Sequence, residues 1–211
     1  GDATLVMNRI IANGSLADDG IDAYAYTYNG NARVEINDSE ASGNADYGID
    51  FADAESYAGG NAEVILRRVT TLNNTKDGIW GWSQADAGLA SFTLDDCISR
   101  GSSAGNGAYV YLSSGVGPDT LRVRNSVFAN NPVYGLRVAH VGATADLNVG
   151  DATGGTEGFN SIFNNGSYEL WSQGAGTVLA ENNYWGPSAP VAGDFLGSVD
   201  YAPFLPADPN P

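Results

Sequence analysis

Five glycines recur along this chain at an almost constant interval, and this interval constrains the fold more than any other feature. They are separated by 28, 30, 29 and 28 residues, and each precedes a short apolar stretch: Gly20, Gly48, Gly78, Gly107 and Gly135. Pairs of apolar residues repeat with the same period: Val34/Ile36, Val64/Leu66, Phe92/Leu94, Leu121/Val123, Leu147/Val149 and Val178/Ala180. Repeats of this length are typical of solenoids, in which each repeat packs only on its neighbours.

One repeat, residues 62–90, shows what a single coil contains. Short apolar stretches near residues 64–66, 69–72 and 79–82 are separated by Asn-Asn and Asp-Gly, which favour turns. Three short strands per repeat predict a parallel β-helix, in which each strand pairs with its equivalent one coil later. A β-sandwich of hairpins would not produce a period of about 29 residues. Corner asparagines should stack as hydrogen-bonded amides: Asn13, Asn44, Asn73/Asn74, Asn130/Asn131 and Asn164/Asn165.

Composition excludes several classes of partner. Nine lysines and arginines stand against 25 aspartates and glutamates, which gives a formal charge of −16. Such a surface repels phosphate, so we expect neither nucleic acid nor an anionic membrane as a partner. No apolar stretch reaches the roughly 18 residues of a membrane span, so we expect no membrane insertion. Acidity alone would also keep a long β-structure soluble.

The C-terminal segment has a composition of its own. Residues 184–211 contain several large apolar side chains and prolines, which cannot donate to a strand ladder: Tyr184, Trp185, Phe195, Phe204 and Leu205 among the apolar ones. The end of a β-helix must be covered, because open strand edges aggregate. We therefore predict a single domain with coils over residues 1–183 and the last coil and cap over 184–211. Since the chain opens directly on a strand-like segment, we expect it to be part of a longer secreted protein.

The run Asn182-Asn183-Tyr184-Trp185-Gly186-Pro187, followed by Val199-Asp200-Tyr201-Ala202-Pro203-Phe204-Leu205, resembles the ending of many secreted bacterial and archaeal β-helix proteins of the pectin-lyase-like superfamily. The resemblance implies a secreted or cell-surface location and, frequently, a polysaccharide as ligand. It implies no particular activity, because this superfamily combines enzymes with non-catalytic modules. The predicted fold is thus all-β: a right-handed single-stranded parallel β-helix of about seven coils of ~29 residues.

Alignment on the glycines predicts which side chains point outward. One outward column is Asp22, Asp50, Trp80, Tyr109, Arg137 and Glu169, and the other is Tyr24, Ala52, Trp82, Tyr111, Ala139 and Trp171. We call the surface formed by Tyr24, Trp80, Trp82, Tyr109, Tyr111 and Trp171 the aromatic face. Sugar rings stack on aromatic side chains, and neighbouring polar groups could hydrogen-bond their hydroxyls. The same aromatics could instead pair across coils without any ligand, or lie at an oligomer contact.

Asp22 and Asp50 occupy equivalent positions one coil apart, so their Cα atoms should lie ~5 Å from each other. Two carboxylates at that distance could share a proton, hold calcium, or point separately into water. Arg137 and His140 could serve a lyase, but they lie three or more coils from Asp22 and Asp50, about 14 Å or further, which is too far for one reaction centre.

Three functions remain open. We rank first a non-catalytic extracellular module that binds a polysaccharide or cell-surface glycan through the aromatic face. A structural spacer or assembly domain follows closely. A polysaccharide lyase, hydrolase or epimerase comes last, because no compact catalytic group can be assembled from the alignment. No cofactor is required by any of these functions, although calcium could bridge the aspartate pair.

Overall fold

The computed structural model describes residues 1–142, 144–151, 153 and 157–211. These residues form nineteen strands and one short 3-10 helix, Ala192–Asp194. In chain order the strands are β1 (Ala3–Asn8), β2 (Ile21–Thr27), β3 (Ala32–Asn37), β4 (Ile49–Ser56), β5 (Ala62–Arg67), β6 (Thr70–Leu72), β7 (Ile79–Ala85), β8 (Ala90–Asp95), β9 (Ile98–Arg100), β10 (Ala108–Ser114), β11 (Pro118–Arg124), β12 (Val127–Ala129), β13 (Tyr134–His140), β14 (Thr144–Gly150), β15 (Ser161–Phe163), β16 (Tyr168–Gln173), β17 (Val178–Ala180), β18 (Phe195–Leu196) and β19 (Val199–Asp200).

The strands form three parallel sheets, which together make a β-solenoid of about seven turns. Sheet I contains eight strands in the order β1-β3-β5-β8-β11-β14-β17-β19. Sheet II contains seven in the order β18-β16-β13-β10-β7-β4-β2, and the short sheet III has the order β15-β12-β9-β6. Strands that neighbour each other in a sheet lie one coil apart in the chain, which confirms the predicted parallel β-helix. No helix among the described residues is long and apolar enough to cross a membrane.

The predicted core column lies on sheet I. Val34 pairs with Val64, Val64 with Phe92, Phe92 with Leu121, and Leu121 with Leu147. All of these side chains are buried, as is Val178 in the next strand. The alternation of apolar and polar residues therefore identified the inward side of these sheet I strands correctly.

Asparagine amides and the recurring glycines pack together at the corner before sheet II. The amide of Asn44 donates to the side-chain oxygen of Asn74 at 3.1 Å, and Asn131 donates to Asn165 at the same distance. The neighbouring amide of Asn164 also donates to the side-chain oxygen of Asn130. The predicted ladder is thus confirmed in three pairs, but Ser102 interrupts it between Asn74 and Asn131. Asn13 is not a member, because it lies opposite Ser42.

The recurring glycines pass directly beneath these amides. A Cβ on Gly48 would lie 2.5 Å from Nδ2 of Asn74, and one on Gly135 would lie 2.5 Å from Nδ2 of Asn165. Close approach, rather than a left-handed backbone, therefore explains the period of the glycines. The left-handed residues of this corner are different ones: asparagines in some coils, with φ of 56° at Asn73 and 60° at Asn130, and other glycines in the rest, with φ of 67° at Gly43 and 71° at Gly101.

A second amide site lies at the corner between sheets I and III. Asn160 is fully buried, and its Nδ2 donates to the carbonyls of Val123 at 3.2 Å and Val149 at 2.8 Å and to Oδ1 of Asn183 at 2.9 Å. Its own Oδ1 accepts the backbone N–H of Ser126 at 2.8 Å. These four hydrogen bonds tie three coils together at one buried point.

Residues beyond 183 close the C-terminal end of the solenoid. The rings of Trp185 and Phe195 meet edge to face at 4.9 Å, and Phe195 stacks on Tyr201 at 4.4 Å. Trp185 and Phe195 are both buried, whereas Phe204 remains exposed. Strand β18 extends sheet II and β19 extends sheet I, so this segment both adds the last strands and covers the apolar interior.

Candidate functional site

The outer side of sheet II carries a two-by-two group of aromatic side chains. Trp80 pairs in register with Tyr109, and Trp82 with Tyr111. Ring centroids are 6.3 Å apart for Trp80 and Tyr109 and 4.6 Å apart for Trp82 and Tyr111. All four side chains are partly exposed. The structure therefore contains the predicted outward-facing arrangement of these four residues.

Arg137 continues this surface toward the C-terminal end. It pairs in register with Tyr109 on one side and with Trp171 on the other. Its guanidinium carbon lies 4.1 Å from the Tyr109 ring centre and 4.3 Å from that of Trp171. Gln173 accepts a hydrogen bond from Arg137 at 3.1 Å. The guanidinium therefore lies against both aromatic rings, an arrangement that cation–π attraction favours.

The alignment was wrong by two residues in the sixth coil. Trp171, not Glu169, lies beside Arg137, so Trp171 belongs to the first outward column. Glu169 lies away from the aromatic face, at the corner, where Nδ2 of Asn165 donates to it at 2.5 Å. Burial raises the pKa of Glu169. The cause of the error is the length of this coil, since 34 residues separate Asn131 from its partner Asn165.

A β-bulge at Phe51 changes the outward residues of β4. Asp22 still pairs with Asp50, but the next partners are Ala23 with Ala52 and Tyr24 with Asp53. Phe51 is the extra residue, with φ of 47° and its side chain exposed. Ala52 therefore points into the core, contrary to the alignment, and Asp53 takes its place between Tyr24 and Trp82. The longest glycine interval, from Gly48 to Gly78, contains this extra residue and was the available signal.

Asp53 lines a pocket of about 350 Å³ together with Asp22, Tyr24, Phe51 and Glu55. We call it the Asp53 pocket. It adjoins the two-by-two aromatic group, because the Phe51 ring meets that of Trp80 edge to face at 4.6 Å. A larger cavity of about 450 Å³ lies near sheet I. Three of its lining residues are charged, Asp2, Arg33 and Glu63, and the last two form an ion pair with each other.

Two aspartates of sheet II have raised pKa values. Burial, and next the nearby charge of Asp19, raise the pKa of Asp50 to about 7. Burial, and next the charge of Glu55, raise the pKa of Asp53 to about 8. Asp22 and Asp50 are register partners as predicted, but no group of three or more metal-ligating side chains converges among the described residues. Calcium usually takes six to eight oxygen ligands, so the pair alone supplies few of them.

The remaining predicted residues lie apart from this surface or at its edge. Tyr24 is about half exposed and stacks on Tyr26 at 6.3 Å. His140 is the last residue of β13 and is buried, with Nδ1 3.7 Å from Oδ2 of Asp119. The structure therefore does not bring His140 to the aromatic face beside Arg137.

Comparison with known proteins adds no relative. No protein-family model, no curated protein and no solved structure matches the chain. The parallel β-helix fold is thus the one observation that agrees with the resemblance of the terminal motif to the pectin-lyase-like superfamily.

The raised pKa values predict a pH dependence of stability. A carboxyl whose pKa is higher in the folded than in the unfolded chain destabilises the fold as pH rises between the two values. Since the folded-state pKa values are about 7 for Asp50 and about 8 for Asp53, we expect the thermal midpoint to decrease as the pH rises from about 4 to about 8. Replacing Asp53 with Asn should raise the midpoint at pH 9 by on the order of 5 °C and leave it unchanged at pH 4.

Differential scanning calorimetry across this pH range would measure the effect. Asp86→Asn is the matched control, because Asp86 is exposed at the end of the same sheet. A wild-type midpoint that stays constant from pH 5 to 9, or equal behaviour of the two variants, would contradict the assignment of a buried, protonated Asp53.

Proposed function

We propose that this chain is a non-catalytic extracellular module that binds a polysaccharide or cell-surface glycan along the outer side of sheet II. The observation that carries the proposal is the two-by-two group of Trp80, Trp82, Tyr109 and Tyr111, in register and partly exposed. Exposed clusters of large aromatic side chains on one strand face are uncommon unless something binds there. Rings spaced by the strand repeat could support successive sugar residues of an extended chain.

Polar groups beside the rings support the same proposal. Arg137 and Gln173 follow the aromatic group on one side, and Asp53 and Glu55 precede it on the other. Such groups can hydrogen-bond sugar hydroxyls, which fixes the orientation of a stacked ring.

Alanine substitution of the tryptophans tests this function. On a glycan array of neutral, amino-sugar and uronate polysaccharides, Trp80→Ala and Trp82→Ala should each weaken binding about 10- to 100-fold. Tyr28→Ala serves as the control, because Tyr28 is an exposed aromatic just beyond the end of β2. A wild-type protein that binds no glycan, or variants that bind as the wild type does, would favour the spacer or assembly function instead.

A hydrolase acting on the same surface is the second candidate, and the raised pKa of Asp53 favours it. A general acid must hold its proton near neutral pH, and Asp22 offers a second carboxylate on the same pocket wall. Release of reducing ends from a bound polysaccharide by the wild type, and its loss in Asp53→Asn, would replace the non-catalytic assignment.

A further inference from the structure

The Asp53 pocket combines an acidic wall with an aromatic wall. Asp22, Asp53 and Glu55 supply carboxyl groups, and Tyr24 and Phe51 supply rings. Glu55 accepts hydrogen bonds from the hydroxyls of Tyr24, at 3.2 Å, and Tyr57. These bonds hold the Tyr24 ring in place, so the pocket walls are already arranged before any ligand enters.

Asp53 is the buried centre of this pocket. Only 2% of its surface is exposed, although it belongs to the outward column between Tyr24 and Trp82. Its Oδ1 has no hydrogen-bond partner among the residues that the structure describes. A buried carboxyl oxygen without a partner costs free energy, which a donor from a ligand would recover.

The protein itself supplies no positive charge here. Within the described part of the chain, no ion pair involves Asp22, Asp53 or Glu55. Lys76 is engaged with Asp46, and Arg137 lies between Tyr109 and Trp171. The acidic groups of the pocket are therefore available to a cation from outside.

We propose that the Asp53 pocket binds the protonated primary amine of an amino sugar within the glycan that the aromatic face holds. An ammonium group can donate one hydrogen bond to the free oxygen of Asp53, and the carboxylates of Asp22 and Glu55 attract its charge without forming a converging set of ligands. The rings of Tyr24 and Phe51 line the same pocket, and cations are attracted to aromatic rings. This inference rests on the proposed function, and it names the class of sugar.

Two other ligands fit the pocket less well. A uronate would meet three carboxyl groups and no cation, so like charges would repel it. A calcium ion lacks a converging group of three or more ligands among the described side chains. An amino sugar also matches the position of the pocket, because Phe51 contacts Trp80 and thus joins the pocket to the stacking surface.

Paired oligosaccharides that differ only in N-acetylation test the inference. We expect glucosamine oligomers to bind at least about tenfold more tightly than N-acetylglucosamine oligomers of equal length, measured by calorimetry at pH 7. Asp53→Asn should remove this preference, so that the two oligomers bind with equal affinity. Asp86→Asn, which removes one exposed carboxylate at the end of the same sheet, should keep the preference.

The outcomes separate the inference from the function beneath it. Equal binding of both oligomers, weakened by Trp82→Ala but not by Asp53→Asn, would overturn the amine site and keep the glycan-binding surface. Binding of neither oligomer, or no effect of Trp82→Ala, would overturn the function itself. If Asp53→Asn and Asp86→Asn reduced the preference equally, general charge attraction would explain it. If a lysine-rich peptide displaced the oligomer from the wild type but not from Asp53→Asn, the pocket would be a site for protein ligands. Either result contradicts the proposal.

Discussion

Deletion of residues 184–211 is expected to make the chain aggregate and to lower its thermal midpoint. The deletion removes β18 from sheet II and β19 from sheet I, which leaves β16 and β17 as open edges. It also removes Trp185 and Phe195, whose buried rings cover the interior at this end. Open edges beside exposed apolar surface favour pairing between molecules. Size-exclusion chromatography with light scattering would measure the association.

A single substitution tests the same capping role with a smaller change. Trp185→Ala should destabilise the protein by about 3–5 kcal/mol, as removal of a large buried aromatic side chain usually does. Phe204→Ala is the matched control, because Phe204 lies in the same segment with its side chain exposed. Chemical denaturation would compare the two. A monomeric deletion variant with an unchanged midpoint, or equal costs for both substitutions, would argue against a capping role.

Asn160→Ala is expected to cost about 3–4 kcal/mol of unfolding free energy, because three buried backbone groups would each lose a side-chain hydrogen bond. The amide of Asn160 serves the carbonyls of Val123 and Val149, and its oxygen serves the N–H of Ser126. Water cannot easily replace these bonds, since the side chain is fully buried. The loss should lower the thermal midpoint by roughly 10 °C.

Asn13→Ala provides the comparison for this effect. Asn13 also bridges two coils, because its Oδ1 accepts the N–H of Ser42 at 2.7 Å, but its side chain is exposed. Solvent can satisfy the groups that it leaves, so the expected cost is below about 1 kcal/mol. Similar losses in both variants would show that burial does not decide the strength of these amide bridges.

The periodic part of the structure was predictable from the sequence. Inward residues such as Val64 and Phe92 are apolar in every coil, so their spacing defined the strands and their parallel stacking. The pairing of Trp80 with Tyr109 followed from the same spacing, because these partners are 29 residues apart, as are Gly78 and Gly107. Because the same apolar pattern recurs in several coils, each coil supports the prediction made from the others.

The parts that failed are those where the repeat changes length. The extra residue Phe51 reverses the orientation of Ala52 and Asp53, and the longer sixth coil moves Trp171 to the position assigned to Glu169. A shift of one residue exchanges the two faces of a strand, so a small error in alignment changes which side chains meet. The buried state of Asp53 depends further on how the Tyr24 and Trp82 side chains lie beside it, which spacing alone does not specify.

The bulge at Phe51 also shows how an array of similar coils can acquire local chemical individuality. In coils three to five, side chains two residues apart share the outer surface, so neighbouring coils repeat one another's geometry. One inserted residue exchanges the orientation of part of a single strand, yet Ala54 and Glu55 are again in register with both neighbouring strands. In evolutionary terms, a single-codon insertion can therefore change the surface of one coil of a solenoid while the neighbouring coils keep their geometry.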